Sequence, residues 1–168
     1  MGLLVSMLAL TSLVFTSASS AATNPYEPEE CHSVVGSAHV RTHQEGEEVT
    51  IITWGAMVYT AEEAAKQLPD SSIEIIDLRT VMPWDKEAVL ASARKTSKVL
   101  VLHEDTRTGG MAGELAATIT ESVFEYLDGP VVRVTAPDTP VPYSPPLEEA
   151  FLPNVDKVLE KARWLYRY

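Results

Sequence analysis

The sequence predicts an α/β fold in which helices cover both faces of a mainly parallel β-sheet. Short β-branched or aliphatic runs alternate with amphipathic stretches, at intervals that leave room only for strand–helix–strand crossovers. The segment 98–113, KVLVLHEDTRTGGMAG, shows this arrangement once: an apolar run ends in charge, and a glycine turn leads into a helix. Because ligands and partners of such folds bind at the carboxyl ends of the strands, this segment also marks the candidate functional edge.

Each element follows from a local pattern. Runs of β-branched and aliphatic residues predict strands at 49–54, 73–77, 98–102 and 131–134. Apolar residues at spacings of three and four predict helices at 57–68, from Asp85, at 111–127 and from about Asn154. Asp85 is a favourable N-cap, and the apolar side of its helix is predicted to be Ala88, Val89, Leu90 and Ala91. A proline-rich crossing, 136–146, separates the last strand from the last helix.

Composition limits the classes of partner. The 168 residues include 13 basic and 24 acidic side chains, which give a net charge of −11. Nucleic acids and anionic membranes bind through a surplus of Lys and Arg, so neither is an expected partner, whereas a basic protein surface is. Cys31 is the only cysteine, which excludes an internal disulfide and a thiolate metal cluster. Beside His32 it is interpreted as a bystander thiol rather than a catalytic one.

The turn Gly109-Gly110 has two interpretations. A glycine turn that opens a helix can hold a phosphate. The spacing to Gly113 fits neither a dinucleotide fingerprint nor a P-loop, and Glu104 and Asp105 just upstream would repel an anion. The favoured alternative is that the glycines permit a tight turn and close packing of the helix on the sheet.

The remaining candidates for chemistry are weak. His103, Glu104 and Asp105 could bind a metal, but successive residues of a strand point to opposite faces, so a hydrogen-bonded or interface histidine is favoured over a metal ligand or an indirect active-site role. Asp77 and Arg79 are interpreted as a bidentate ion pair, with an anionic ligand of Arg79 as the alternative. No nucleophile elbow or Ser/His/Asp arrangement is recognised. The sequence therefore assigns no catalytic, cofactor-binding or metal-binding residue.

Several long motifs occur along the chain in the same order as in one known protein family. They are VTIITWGAMV, IEIIDLRTVMPWD, VLVLHEDTRTGG, FEYLDGPVVRVTAPDTPVPYSPPLEEAFLP and the closing amphipathic helix. Together they resemble the C-terminal, transketolase-C-like domain of the β subunit of thiamine-diphosphate-dependent 2-oxo acid dehydrogenases, in particular the branched-chain type and bacterial forms with fused α and β parts. The resemblance covers residues 34–168 and implies three layers, helix–sheet–helix, with about five strands.

The resemblance implies a role in assembly and docking. Such enzymes decarboxylate a branched 2-oxo acid on thiamine diphosphate and Mg²⁺, held between an α-type subunit and a β-type pyrimidine-binding domain, and pass the acyl group to a dihydrolipoyl acyltransferase. This chain alone is expected to lack both cofactor-binding parts and to bind no cofactor. Docking of the acyltransferase's subunit-binding domain in the family uses an acidic residue before the last strand and the terminal carboxylate. The matching positions are Asp128, for which a turn-forming role is the alternative, and Tyr168.

Further expectations accompany this resemblance. His103, Glu104 and Arg107 are candidates for an interface or active-site edge, and a homodimer through the sheet domain is a further candidate assembly. The substrate is expected to be 3-methyl-2-oxobutanoate, with pyruvate-type and acetoin-type enzymes as alternatives. Two other hypotheses are a non-enzymatic module that binds the acyltransferase, and a secreted protein that keeps the fold for another purpose.

The first 33 residues are predicted to be a leader or linker separate from the domain at 34–168. The apolar stretch from Leu3 to Phe15 and the small residues after it resemble a secretory signal peptide, but no Lys or Arg precedes Arg41. A native secretory leader and a non-native leader joined to a truncated domain are the two interpretations, and the resemblance favours the second. The expected location is therefore the cytoplasm, or the mitochondrial matrix in a eukaryote, with secretion as the alternative.

Overall fold

A computed structural model describes residues 39–69 and 71–168. The predicted boundary between 33 and 34, with Cys31 and His32, lies outside these residues. The described part contains five strands: β1 Val40–Gln44, β2 Val49–Thr53, β3 Ile73–Leu78, β4 Val99–Thr106 and β5 Val132–Ala136. Its α-helices are α1 Met57–Lys66, α2 Lys86–Thr96, α3 Met111–Val123, α4 Pro145–Phe151 and α5 Val155–Tyr166, and a 3-10 helix covers Phe124–Tyr126.

The strands form one sheet in the order β1-β3-β2-β4-β5. The pairs β2–β3, β2–β4 and β4–β5 are parallel, and β1 alone is antiparallel, beside β3. The prediction of a mainly parallel sheet of about five strands is confirmed. Sequence patterning missed β1, because its residues, VRTHQ, carry no run of apolar side chains and the strand lies half-exposed at the sheet edge.

Helices cover both faces of the sheet, as predicted. On one face α1 and α5 pack against alternate strand residues such as Ile51, Ile75 and Leu100. On the other face α2 and α3 pack against the intervening residues, such as Ile52 and Val101. This alternation follows from the two-residue period of a strand that is buried on both sides. Within residues 39–69 and 71–168, no helix is both long and apolar enough to cross a bilayer.

Several predicted helix boundaries need correction. The helix predicted to end at 127 stops at Val123, whose φ of −137° is not helical, and the chain continues as a 3-10 turn. The first helix ends at Lys66 rather than at 68. The short α4 was not predicted, although proline is favourable at its first positions. The predicted N-cap is confirmed, because Asp85 Oδ1 accepts a hydrogen bond of 3.0 Å from the Ala88 N–H.

The inner face of α2 carries polar Ser92 and Thr96 beside the apolar Val89 and Ala93, and the sequence pattern did not predict these polar positions. Ala91 is exposed, and Ser92 and Thr96 face the sheet instead. Their hydroxyl oxygens each lie 2.7 Å from Thr50 Oγ1 of β2. Ser92 also donates to the carboxylate of Glu74 on β3, which Lys95 pairs from the other side. A glutamate that is only 2% exposed is thus neutralised and hydrogen-bonded, as a buried charge must be.

This cluster predicts a loss of stability for Ser92→Ala. The substitution removes one hydrogen-bond partner from Glu74 and one from Thr50, so we expect the free energy of unfolding to fall by about 1–3 kcal/mol in urea denaturation. The matched control is Ser122→Ala at an exposed position of α3, where alanine's better helix propensity should leave stability unchanged or slightly higher. Equal effects of the two substitutions would contradict this account of the cluster.

Candidate docking groove

Two neighbouring residues just before β4 fix the positions of two distant parts of the chain. The Ser97 carbonyl oxygen accepts a hydrogen bond of 2.9 Å from the Asp128 N–H. Lys98 Nζ donates a hydrogen bond of 3.0 Å to the Tyr166 carbonyl oxygen and lies 5.9 Å from the centre of the Tyr166 ring. The turn before β5 and the end of α5 are therefore tethered to the same point of the sheet.

A glycine lets these two parts touch. A Cβ on Gly129 would lie 3.1 Å from Tyr168 Cδ1 and 3.4 Å from Leu165 Cδ1, so the absence of a side chain here leaves room for the Tyr168 ring. That ring also packs against Trp164, with 5.2 Å between ring centres and 55° between planes. Asp128 and Tyr168, far apart in the sequence, consequently line one cavity.

This cavity is an open groove of about 890 Å³, which we call the docking groove. Its lining combines apolar and charged side chains. The rim carries the carboxylates of Glu121 and Asp128 and the guanidinium of Arg133, and Arg133 Nη1 already donates to the Arg107 carbonyl oxygen at 3.2 Å. The apolar lining is Ala116, Ala117, Phe124, Leu127, Pro130 and Val131. Phe124 is 73% exposed, which is unusual for a large aromatic side chain.

His103 is the last buried residue of β4, three residues before the strand ends at Thr106. It is 1% exposed, and its ring stacks on Trp54 with 5.1 Å between centres. Nδ1 accepts a hydrogen bond of 3.2 Å from the Asp105 N–H, so Nε2 carries the proton of the neutral ring. Burial is the main cause that lowers the pKa of His103 below its ordinary value, and the charge of Arg133 adds to this while Asp105 opposes it.

The other residues predicted at this edge do not line one common site. Glu104 is exposed, and neither Glu104 nor His103 lines the docking groove. Arg107 does not line the groove either, but its Nη1 lies 3.4 Å from the carbonyl oxygen of Arg133, which does. β4 also continues to Thr106, beyond its predicted end at 102.

Asp77 and Arg79 form the predicted ion pair, but through a single N–H at 3.0 Å rather than a bidentate contact.

The favoured interpretation of the glycine turn agrees with the structure. Gly109 has a φ of +78°, which favours glycine. A Cβ on Gly110 would lie 2.3 Å from the Thr106 carbonyl oxygen and 2.7 Å from His103 Cε1. The start of α3 therefore packs against the end of β4 more closely than any side chain would allow.

The described residues offer no preformed cluster of ligands for a metal ion. In the described part of the chain, no three or more His, Cys, Asp or Glu side chains converge on a point where a metal could bind. The buried carboxylates are already engaged, Glu74 by Ser92 and Lys95, and Asp77 by Arg79.

Comparison with known proteins identifies the family. The sequence model named "Transketolase, C-terminal domain" matches residues 38–158. The chain belongs to this family. It is 42% identical over 137 residues to the 2-oxoisovalerate dehydrogenase subunit beta of Bacillus subtilis, covering 80% of this chain and 41% of the relative. It is 41% identical over 139 residues to the pyruvate dehydrogenase E1 component subunit beta of the same species, covering 81% and 42%. The chain thus spans about two fifths of these relatives.

A solved structure also resembles this transketolase C-terminal domain. It is titled "Split gene transketolase, inactive beta4 tetramer", and it superposes with a TM-score of 0.68 at 28% identity, over 77% of this chain and 42% of that one. The mainly parallel helix–sheet–helix architecture predicted from the motifs is therefore the family fold.

Sequence reasoning missed, among others, Glu121, Phe124 and Arg133 of the docking groove. Glu121 lies near the end of α3 and Phe124 begins the 3-10 helix after it, in a region where the apolar pattern suggested only a core face. Arg133 offered a usable signal, because a charged residue among the valines of VVRVTA must reach an edge or a partner. Their proximity to Asp128 depends on how α3 packs beside β5, which no local pattern encodes.

Burial of His103 predicts a pH dependence of stability. The unfolded chain protonates this side chain near pH 6.5, while the folded chain resists protonation. The unfolded state therefore binds more protons as the pH falls below about 6.5, and the free energy of unfolding should fall with it. Urea denaturation between pH 7.5 and 5 should show a shallower decline for His103→Gln than for the parent. His39→Gln, at a half-buried histidine outside this stack, is the control and should retain the parent's decline.

Proposed function

We propose that this chain is the assembly and docking domain of the β subunit of a 2-oxo acid dehydrogenase of the branched-chain type. Its docking groove would receive a cation-bearing segment of the subunit-binding domain of a dihydrolipoyl acyltransferase. The observation that carries the proposal is the convergence of Asp128 and Tyr168 on one groove that also has apolar lining residues. The similarity to β subunits of 2-oxoisovalerate dehydrogenase and pyruvate dehydrogenase supplies the enzyme class.

The groove has the features that a basic partner needs. Asp128 and Glu121 are exposed, so their carboxylates are available to an incoming Arg or Lys. Phe124 and Tyr168, 73% and 64% exposed, offer aromatic surface of the kind that contributes most to protein interfaces. The net charge of −11 would speed the approach of a basic module, an effect that salt would weaken.

The rest of the enzyme follows as part of the proposal. An α-type subunit and a β-type pyrimidine-binding domain would supply the thiamine diphosphate and Mg²⁺ site, and 3-methyl-2-oxobutanoate would be the substrate. Pyruvate-type and acetoin-type activity are the alternatives, because the pyruvate-type relative is about as similar as the branched-chain one. The complex would act in the cytoplasm or the mitochondrial matrix. One plant relative and one slime-mould relative are named as mitochondrial.

Docking is tested by calorimetric titration of the purified chain with an isolated acyltransferase subunit-binding domain. Asp128→Asn should weaken binding by about tenfold, or ~1.4 kcal/mol, because it removes a charge-assisted hydrogen bond at a partly hydrated rim. Tyr168→Ala should weaken binding at least as much, since it removes aromatic contact area.

The control for this titration is Glu149→Gln, which removes an exposed carboxylate of α4 that does not line the groove. It should change the affinity less than twofold, an order-of-magnitude expectation for a distant surface charge. If Asp128→Asn and Tyr168→Ala bind as tightly as the parent and this control, the groove is not the docking site.

The proposal also predicts that the chain alone has no decarboxylase activity. The assay supplies thiamine diphosphate and Mg²⁺ and tests 3-methyl-2-oxobutanoate, pyruvate and acetoin with a dye as electron acceptor. We expect no turnover above the no-protein blank, because the proposal places the cofactor site on an α-type subunit and a β-type pyrimidine-binding domain. Turnover of any of the three by the purified chain would refute an exclusively docking role.

A further inference from the structure

Two arginines near the end of the chain, Arg163 and Arg167, differ from all its other basic residues. The structure describes all 13 Lys and Arg residues. The others each form a hydrogen bond, an ion pair or a cation–π contact. The side chains of Arg163 and Arg167 form no such contact within the described residues. In a chain with 24 acidic side chains, these two guanidinium groups are thus available to a carboxylate of a partner.

Both arginines line one open pocket of about 620 Å³, which we call the α5 pocket. Its walls are the side of α5 that runs from Asp156 to Trp164, the C-cap residue Arg167, and Tyr168. Arg163 and Arg167 are four residues apart, so their side chains are neighbours on the helix surface. Trp164 beside them is 47% exposed. Arg, Trp and Tyr are the residue types that contribute most binding energy at protein interfaces.

The carboxylates of the α5 pocket do not neutralise these arginines. Glu160 pairs with Lys161 Nζ at 2.9 Å. Asp156 precedes Arg163 by two helical turns, which is about 10 Å along the axis. Neither carboxylate forms an ion pair with Arg163 or Arg167 in the part of the chain that the structure describes. The pocket is therefore acidic near the start of α5 and basic near its end.

The helix dipole accounts for these arginines only in part. A basic residue in the last turn interacts favourably with the negative end of the helix, and Arg163 lies in that turn. Arg167, however, adds a like charge four residues away, an arrangement that destabilises a helix. A carboxylate bound between the two guanidinium groups would remove this repulsion.

Tyr168 joins the α5 pocket to the docking groove. Its side chain lines both cavities, and its ring packs against Trp164. The docking groove has the exposed carboxylates of Glu121 and Asp128, whereas the α5 pocket has the two unpaired arginines. A partner that covers Tyr168 in both cavities therefore meets negative charge in one and positive charge in the other.

We propose that the α5 pocket binds an Asp or Glu side chain of the same acyltransferase segment whose cation occupies the docking groove. This inference rests on the proposed docking function and adds the chemistry of the partner, which carries a basic and an acidic residue on either side of an apolar one. Arg163 and Arg167 hold the carboxylate through charge-assisted hydrogen bonds, and the apolar residue packs on Tyr168. A wholly acidic partner is disfavoured, because the net charge of −11 repels it.

The test is calorimetric titration of the full chain with the isolated acyltransferase subunit-binding domain. Arg163→Gln and Arg167→Gln should each weaken binding by about fivefold, because each removes a charge-assisted hydrogen bond at a hydrated rim. The matched control is Arg94→Gln, which removes an exposed arginine from the last turn of α2, outside both cavities. It loses the same charge at the same helix position, and its affinity should stay within about twofold of the parent's.

A second readout locates the acidic residue of the partner. Arg163→Lys keeps the positive charge and supplies a primary amine, which a zero-length carbodiimide joins to a nearby carboxylate as an amide. Mass spectrometry should find a peptide that links position 163 to an Asp or Glu of the subunit-binding domain. The parent, with an arginine there, should give no link at this position.

Failure of the α5 pocket and failure of the docking groove give different results. If Asp128→Asn weakens binding while both arginine variants bind like Arg94→Gln, the docking groove stands and the α5 pocket is refuted. Absence of the cross-link at position 163 also refutes the α5 pocket. A loss confined to the arginine variants refutes the docking groove instead, and no binding by the parent refutes both.

Discussion

The burial of β4 on both faces is the constraint on which the rest of the structure depends. Residues Val99 to His103 are all buried, with β2 and β5 on either side and helices above and below. A strand held in this way has a single register, because a slip by one residue would exchange its two buried faces. Whatever is attached to its two ends is therefore placed reproducibly. The Ser97 and Lys98 tethers at its start position the docking groove, and His103 at its end supports the turn into α3.

The buried polar groups of the domain differ in how completely they are hydrogen-bonded. Around Glu74 every buried oxygen of the cluster has a partner, so the cluster stabilises the contact between α2 and the sheet. Among the described residues only one ring nitrogen of His103 has a hydrogen-bond partner, while the ring stacks on Trp54. A fully hydrogen-bonded cluster such as that around Glu74 indicates a structural role.

One helix, α3, contributes both to the core and to the docking groove. The residues of α3 that line the groove run from Gly113 to Glu121. The small residues Gly113, Ala116 and Ala117 on this side of the helix leave room for the groove, while Leu115 and Ile119 fill the core behind it. One amphipathic helix thus satisfies the core with one side and presents a recess with the other.

The sequence by itself determined the alternation of strands and helices, the parallel sheet and the family, because these depend on hydrophobic periodicity and on motifs that are contiguous in the chain. It failed at β1, whose polar edge strand carries no such pattern, and at the polar inner face of α2, where packing overrides hydrophobicity. Asp128 and Tyr168 were named from the resemblance, but no local pattern relates them. Only the tertiary structure decided that they line one groove and that Arg107 and Arg133 lie side by side. These contacts join parts of the chain distant in sequence, and they form through β4 and through close approaches that only glycine permits.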